Sequence, residues 1–112
     1  MDKSLAFKHF VDQRQLQSID VPEWGGPVHY MPIPNVDEWC SITKAMSENA
    51  TEAYWQSFFL LTRKEDGARL WLDHEQKEAR MQLDMSVIRR FVDATGIFEA
   101  MTRQSIAQGK KP

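Results

Sequence analysis

The chain has 112 residues, of which 14 are basic and 16 acidic, for a net charge of −2, and 42% are hydrophobic. That length suits one domain around one core, since domains cluster near about 100–150 residues. The near-balanced charge argues against a surface built to attract nucleic acid or an anionic membrane, and the single cysteine, Cys40, leaves no intramolecular disulfide to form.

Met1-Asp2-Lys3-Ser4-Leu5 opens polar and soon reaches His9 and Asp12, so it lacks the apolar centre of a signal peptide. Ser4 is placed to cap a short helix ending near Arg14, with Phe7, Phe10 and Val11 on its inner face. From Leu16 the pattern alternates, with Gln17, Ile19 and Val21 pointing one way, as in a half-buried strand. A second extended run, Val28-His29-Tyr30-Met31, follows Gly25-Gly26, so the two runs form a β-hairpin. A two-residue Gly25-Gly26 loop would need an N–H at position 27, and Pro27 has none. The pattern therefore predicts a four-residue loop, Trp24 to Pro27, closed between Glu23 and Val28, with Trp24 at the tip. Pro22 and Pro32 fit at the hairpin margins, where no neighbouring strand needs their missing N–H.

Pro34 ends the extended region, and Asn35 with Glu38 has the layout of a capping box. Val36, Trp39, Cys40, Thr43 and Met46 then make an apolar stripe, read as the inner face of a helix. A second helix spans about Thr51 to Arg63, burying Tyr54, Phe58 and Leu61, with Phe59 and Leu60 widening that face into the centre of the core. Asp66-Gly67 is a turn signal, followed by a short extended Leu70-Trp71-Leu72. Asp73 with Gln76 caps a polar helix that turns Ala79 and Leu83 inward. The last clear helix starts near Ser86, with Val87, Ile88, Phe91, Val92 and Thr95 inward, and Gly96 suits its left-handed end with Ile97 folding back. A weaker helix continues from Phe98 to Gln108. The sum is an α+β fold, mainly helical: a short N-terminal helix, one β-hairpin, then about four helices around a single core. One domain covers residues 1–107, and 108–112 form a disordered basic tail.

Catalytic chemistry finds little footing. His9, His29, Cys40 and His74 fall on different elements without the short ligand spacing that zinc sites show, so no metal and no cofactor is expected. Cys40, on the inner stripe, reads as an inert buried thiol. Trp24-Gly25-Gly26-Pro27 does not lead into a helix, so it is no phosphate loop. Glu75 and Glu78 among Lys77 and Arg80 read as a solvated, salt-bridged surface. Arg89-Arg90, Arg103 and Lys110-Lys111 show no recognition-helix pattern, and no nucleic-acid partner is expected. The longest strongly apolar run, Phe58 to Leu61, falls far short of the about 20 residues of a membrane helix. The reading is a non-enzymatic, cytosolic binding protein. Within it, Trp24 at a loop tip, together with Met81, Met85 and Met101, supplies the adaptable apolar contacts for a partner.

Val21-Pro22-Glu23-Trp24-Gly25-Gly26 followed by a short extended run resembles the hairpin of the tail assembly chaperones of long-tailed bacteriophages and prophages. The helices after Asn35, the segment Glu65-Asp66-Gly67-Ala68-Arg69-Leu70-Trp71 and the helix starting at Asp73 follow in the same order. The resemblance covers roughly residues 5–100. It implies a protein that binds the tape measure protein, keeps its apolar helical stretches soluble, helps recruit tail tube subunits, and self-associates. It also implies action in the host bacterial cytoplasm and absence from the mature virion. Tube recruitment in this family uses a longer, frameshifted product, and Gln108-Gly109-Lys110 can be encoded by codons containing a slip-prone heptamer. The competing reading is a structural tail completion or connector protein of the particle.

Overall fold

The N-terminal helix α1 (Lys3–Gln13) starts two residues earlier than Ser4 would set it, because Asp2 is the cap: its carboxylate accepts from the Ser4 and Leu5 N–H groups at 2.8 and 3.3 Å. The structure, a computed structural model, describes residues 1–109 and the side chains of residues 1–103. No residue of α1 is buried. Phe7 and Val11, expected inward, are 70% and 66% exposed, and Phe10 is only half-buried beneath the Arg14 guanidinium, 4.9 Å from its ring centre.

Strands β1 (Gln17–Val21) and β2 (Gly26–Tyr30) pair antiparallel, with Ile19 opposite Val28 and Val21 opposite Gly26. The four-residue loop is therefore Pro22 to Gly25, two residues earlier than predicted. Pro22–Trp24 form one 3-10 turn closed by the Gly25 N–H donating to the Pro22 carbonyl at 3.1 Å, and Gly25 takes φ +90°. A residue with a Cβ would be strained there. Pro27 lies inside β2 opposite Asp20, and the third strand, β3 (Thr62–Arg63), pairs only with His29 and Tyr30. Among the described residues β3 stops short of Pro27, so no strand on that side of β2 asks it for a donor.

Helix α2 (Val36–Glu48) opens with the predicted capping box: Asn35 Oδ1 accepts from the Glu38 N–H at 2.8 Å and Glu38 Oε1 from the Asn35 N–H at 2.9 Å. Its inner face, however, is Glu38, Ile42 and Ala45. The stripe read as inward faces solvent instead: Val36 is 77% exposed, Met46 42%, Cys40 and Thr43 are exposed, and Trp39 is half-buried. Helix α3 (Ala50–Leu61), capped by Asn49, ends two residues before the predicted Arg63, because Thr62 and Arg63 leave it to become β3. It buries Ala53, Trp55, Ser57, Phe58, Phe59 and Leu61, while Tyr54 and Leu60 are half-buried.

Arg63 and Arg69 then face each other across an isolated antiparallel bridge, with Asp66-Gly67 in the intervening turn. Helix α4 (Asp73–Gln82) is capped one residue earlier than predicted, at Leu72, whose N–H donates to Glu75 Oε1 at 2.8 Å. Helix α5 (Met85–Thr95), capped by Asp84, buries Val87, Ile88, Phe91 and Val92 as its spacing predicts, and Gly96 ends it at φ +74°. Ile97 is buried behind that turn at the start of α6 (Ile97–Gly109). The tail expected at 108–112 thus begins within α6, and residues 110–112 lie outside the described residues.

The fold is α+β and mainly helical: six α-helices and one three-stranded antiparallel sheet, ordered β1-β2-β3, among the described residues. Phe58 stands at the centre of the core. Its ring meets those of Trp24, Trp55, Phe59, Trp71 and Phe91 at centroid distances of 5.6–6.4 Å. Those spacings are the range in which edge-to-face and offset pairs add to simple burial. Among the described residues no helix is long and apolar enough to cross a membrane.

Candidate interaction surfaces

Trp24, Met81, Met85 and Met101 stand out in the sequence as partner contacts, and the structure scatters them. Met81 is 80% exposed on the outer side of α4. Met101 is 3% exposed and belongs to the core, because α6 packs it against the cluster around Phe91, so it is not a surface contact. Met85 and Trp24 are half-buried against the core. The signal of Met101 in the sequence is ambiguous, since a methionine fills core gaps as readily as it decorates a surface.

Trp24 folds back rather than standing out at the loop tip. Its ring packs edge-on against Phe58 at 5.7 Å. Glu23 beside it pairs with Arg90 on α5, tying the loop to the helix, and the Arg90 hydrogen bond holds the Glu23 carboxyl below its ordinary range. Trp24, Val28, Phe58, Leu70, Trp71 and Leu83 line an apolar groove of about 300 Å³ between the hairpin and the residues that flank α4 at its two ends.

The larger apolar feature is α2. Val36, Cys40 and Thr43 lie opposite Glu38, Ile42 and Ala45, which pack inward, while exposed Met46 and half-buried Trp39, packed against the core, flank that inner face. A stripe of this kind normally faces a core; here it faces outward, with Leu5, Phe7 and Val11 of α1 also exposed. Its likeness to a core face is what hides this surface in the sequence.

The inward turn of α2 is fixed by Glu38, 3% exposed, which sits among three arginines from distant parts of the chain. Its Oε2 accepts from Arg63 at 3.2 Å and from Arg69 at 2.7 Å, and its Oε1 from Arg14 at 3.4 Å. Arg63, itself 5% exposed, also donates to the Leu60 and Thr62 carbonyls, while Arg14 Nε donates to the Ile33 carbonyl at 3.0 Å. Burial pulls the Arg63 guanidinium's pKa down, and the Glu38 charge opposes that pull. A buried carboxylate with four donors is satisfied, which is why a charged residue can occupy the inner face.

Elsewhere Arg80 makes a bidentate pair with Glu52 at 2.8 and 2.9 Å, over the face of Trp55, and Tyr54 donates to Asp93 at 2.7 Å. The Arg80 hydrogen bond lowers the Glu52 pKa, and the Asp93 hydrogen bond raises that of Tyr54. Among the described residues no three His, Cys, Asp or Glu side chains gather as they would around a metal ion. His29 lies 3.9 Å from Glu65, an exposed partner.

The hairpin, the packed α2–α3 pair and the α4–α6 helices can be compared with solved structures. A structure of the bacteriophage HK97 tail assembly chaperone matches with a TM-score of 0.54 at 16% identity, over 84% of this chain and 94% of that one. The fold is that of a phage tail assembly chaperone. No protein-family model matches the chain, and no curated protein matches it in sequence. The resemblance read from Val21 to Gly26 and from the order of the later segments therefore meets a structural counterpart. In this chaperone-like fold the hexapeptide shapes the hairpin end. Pro22 starts the 3-10 turn, Trp24 docks on Phe58, and Gly25-Gly26 return the chain to β2.

Proposed function

We propose that this protein is a tail assembly chaperone that binds the tape measure protein and keeps its apolar helical stretches soluble. The likeness of fold to the HK97 protein supports the general role. The observation that carries the reading is the exposed face of α2, Val36, Cys40, Thr43 and Met46, with Trp39 half-buried at its border with the core. An amphipathic client helix offers apolar residues at the same spacing, so two such stripes cover each other along their length. Met81 of α4 and the exposed apolar side chains of α1 extend the apolar contact available to a client or to a second copy of the chain. On this reading the protein works in the host bacterial cytoplasm, does not enter the finished particle, and recruits tail tube subunits through a longer frameshifted form.

The test is aggregation of an apolar helical tape measure fragment diluted from denaturant, followed by light scattering with and without the protein. Suppression at near-equal molar ratio is expected. Val36→Asp with Thr43→Asp should abolish it while changing stability by only about 0.5 kcal/mol, as surface changes do. Suppression that survives both substitutions would remove α2 as the client site, and no suppression by the unaltered protein would remove the function.

A further inference from the structure

The Glu38 network carries more positive charge than it uses. Three guanidiniums, Arg14, Arg63 and Arg69, lie 2.7–3.4 Å from one carboxylate. Among the described residues no second carboxylate lies within ion-pair distance of any of them, so the cluster holds two uncompensated positive charges in a chain whose net charge is −2. Arg63 and Arg69 stand directly opposite each other on their bridge, and Glu38 Oε2 is the anion between them, so one carboxylate oxygen serves both guanidiniums.

The cluster is closed on one side and open on the other. The Arg63 side chain is 5% exposed, whereas those of Arg14 and Arg69 are 21% and 40% exposed. Among the described residues Arg14 Nη1 and Arg69 Nε and Nη1 have no acceptor. These donors belong to the two partly exposed guanidiniums, both anchored on the same buried carboxylate, and Arg69 keeps the more of them.

We infer that the Arg14–Arg69 edge receives a second carboxylate, an aspartate or glutamate side chain of a partner protein. The guanidinium fork matches the two oxygens of a carboxylate, and such charge-assisted pairs are shorter and stronger than neutral ones. Because Glu38 already fixes both arginines, little side-chain freedom is lost when the second acid arrives. The acidic balance of the rest of the chain disfavours a polyanion such as nucleic acid and leaves a local site for a single acidic side chain. This inference stands on the charge, exposure and unused donors of the arginine cluster and is independent of the chaperone reading.

The experiment follows the arginine Nε–Hε resonances of the full chain by NMR at low salt. The probes are a short alanine-based helical peptide bearing two glutamates one turn apart, its glutamine counterpart, and inorganic phosphate. Saturable movement of the Arg69 signal with the glutamate peptide, none with the glutamine peptide and weaker movement with phosphate are expected. Arg69→Gln, at a partly exposed position, should weaken the glutamate peptide about tenfold or more, and Arg90→Gln should leave it unchanged. Equal response to the two peptides, or no saturation, would overturn the inference, as would phosphate binding more tightly than the glutamate peptide. Should Arg69→Gln fail to fold, the three-probe comparison on the unaltered chain still decides the question.

Discussion

Substituting Glu38 by Gln keeps the shape of the side chain and, through its one amide oxygen, the ability to accept from the Asn35 N–H; it removes the charge and puts an NH2 donor where Oε2 accepts from Arg63 and Arg69. The cost can be worked from what is left behind. Arg63, 5% exposed, would keep its bonds to the Leu60 and Thr62 carbonyls but lose its counter-charge, with Arg69 still opposite it. Orphaning one member of a buried ion pair costs about 3–5 kcal/mol. Against a total stability of about 5–15 kcal/mol for a domain, that is a large share. At about 4 °C per kcal/mol for a chain of this size, the melting temperature should fall by about 12–20 °C. Urea unfolding followed by circular dichroism at neutral pH gives the free energy directly. The double variant Glu38→Leu with Arg63→Met should recover most of the loss, since apolar pairs replace buried ion pairs at little cost. A residual deficit of about 1 kcal/mol is expected for the lost cap bond. If Glu38→Gln costs less than about 1 kcal/mol, or the double variant is as unstable as the single, the ion network does not set the orientation of α2.

Trp24→Ala should cost about 2 kcal/mol, below the about 3–5 kcal/mol of a fully buried aromatic, because the ring is half-buried against Phe58; urea unfolding with an unchanged midpoint would place Trp24 outside the core. The Glu52–Arg80 pair gives a pH signature. The Glu52 pKa is lowered in the folded state from its ordinary 4.5, so its contribution is present above 4.5 and is lost as pH falls through the lowered value. The melting-temperature gap between the unaltered protein and Glu52→Gln should therefore narrow in acid, and a gap that stays constant to the lowest pH would contradict the pairing. Tyr54 runs the other way: its pKa is raised in the folded state by Asp93, so its contribution is full below the ordinary 10.0 and fades as pH climbs through the raised value. Tyr54→Phe should lose its stability deficit at high pH, and a deficit that persists there would count against the Asp93 bond.

Where local chemistry decides structure, the sequence is legible. Helix α5 buries Val87, Ile88, Phe91 and Val92 because no charged residue interrupts that face, and Gly96 ends it because the turn needs a positive φ. The Asn35–Glu38 capping box is equally local. Helix α2 is not legible in this way. Its inner face contains a glutamate, so the apolar stripe opposite looks like the core side. Glu38 is admitted inside only because Arg14, Arg63 and Arg69 reach it from 24, 25 and 31 residues away, and no periodicity reports pairings at that range. The two-residue displacement of the hairpin loop has a similar origin. Pro27 lacks the N–H that a paired strand uses, but the short β3 leaves its side of β2 without a neighbour, so the strand accommodates it. Of the expected contacts, Met101 lies in the core and only Met81 stays fully at the surface, since methionine carries no local signal for either place.

The proposed chaperone role is tested most directly by co-expressing the full chain with a tape measure protein encoded in the same genome and following both through gel filtration. The tape measure protein should move into the soluble fraction and co-elute with this chain, and Val36→Asp with Thr43→Asp should return it to the pellet. A tape measure protein that stays equally insoluble with and without this chain, and never elutes with it, would contradict the chaperone reading.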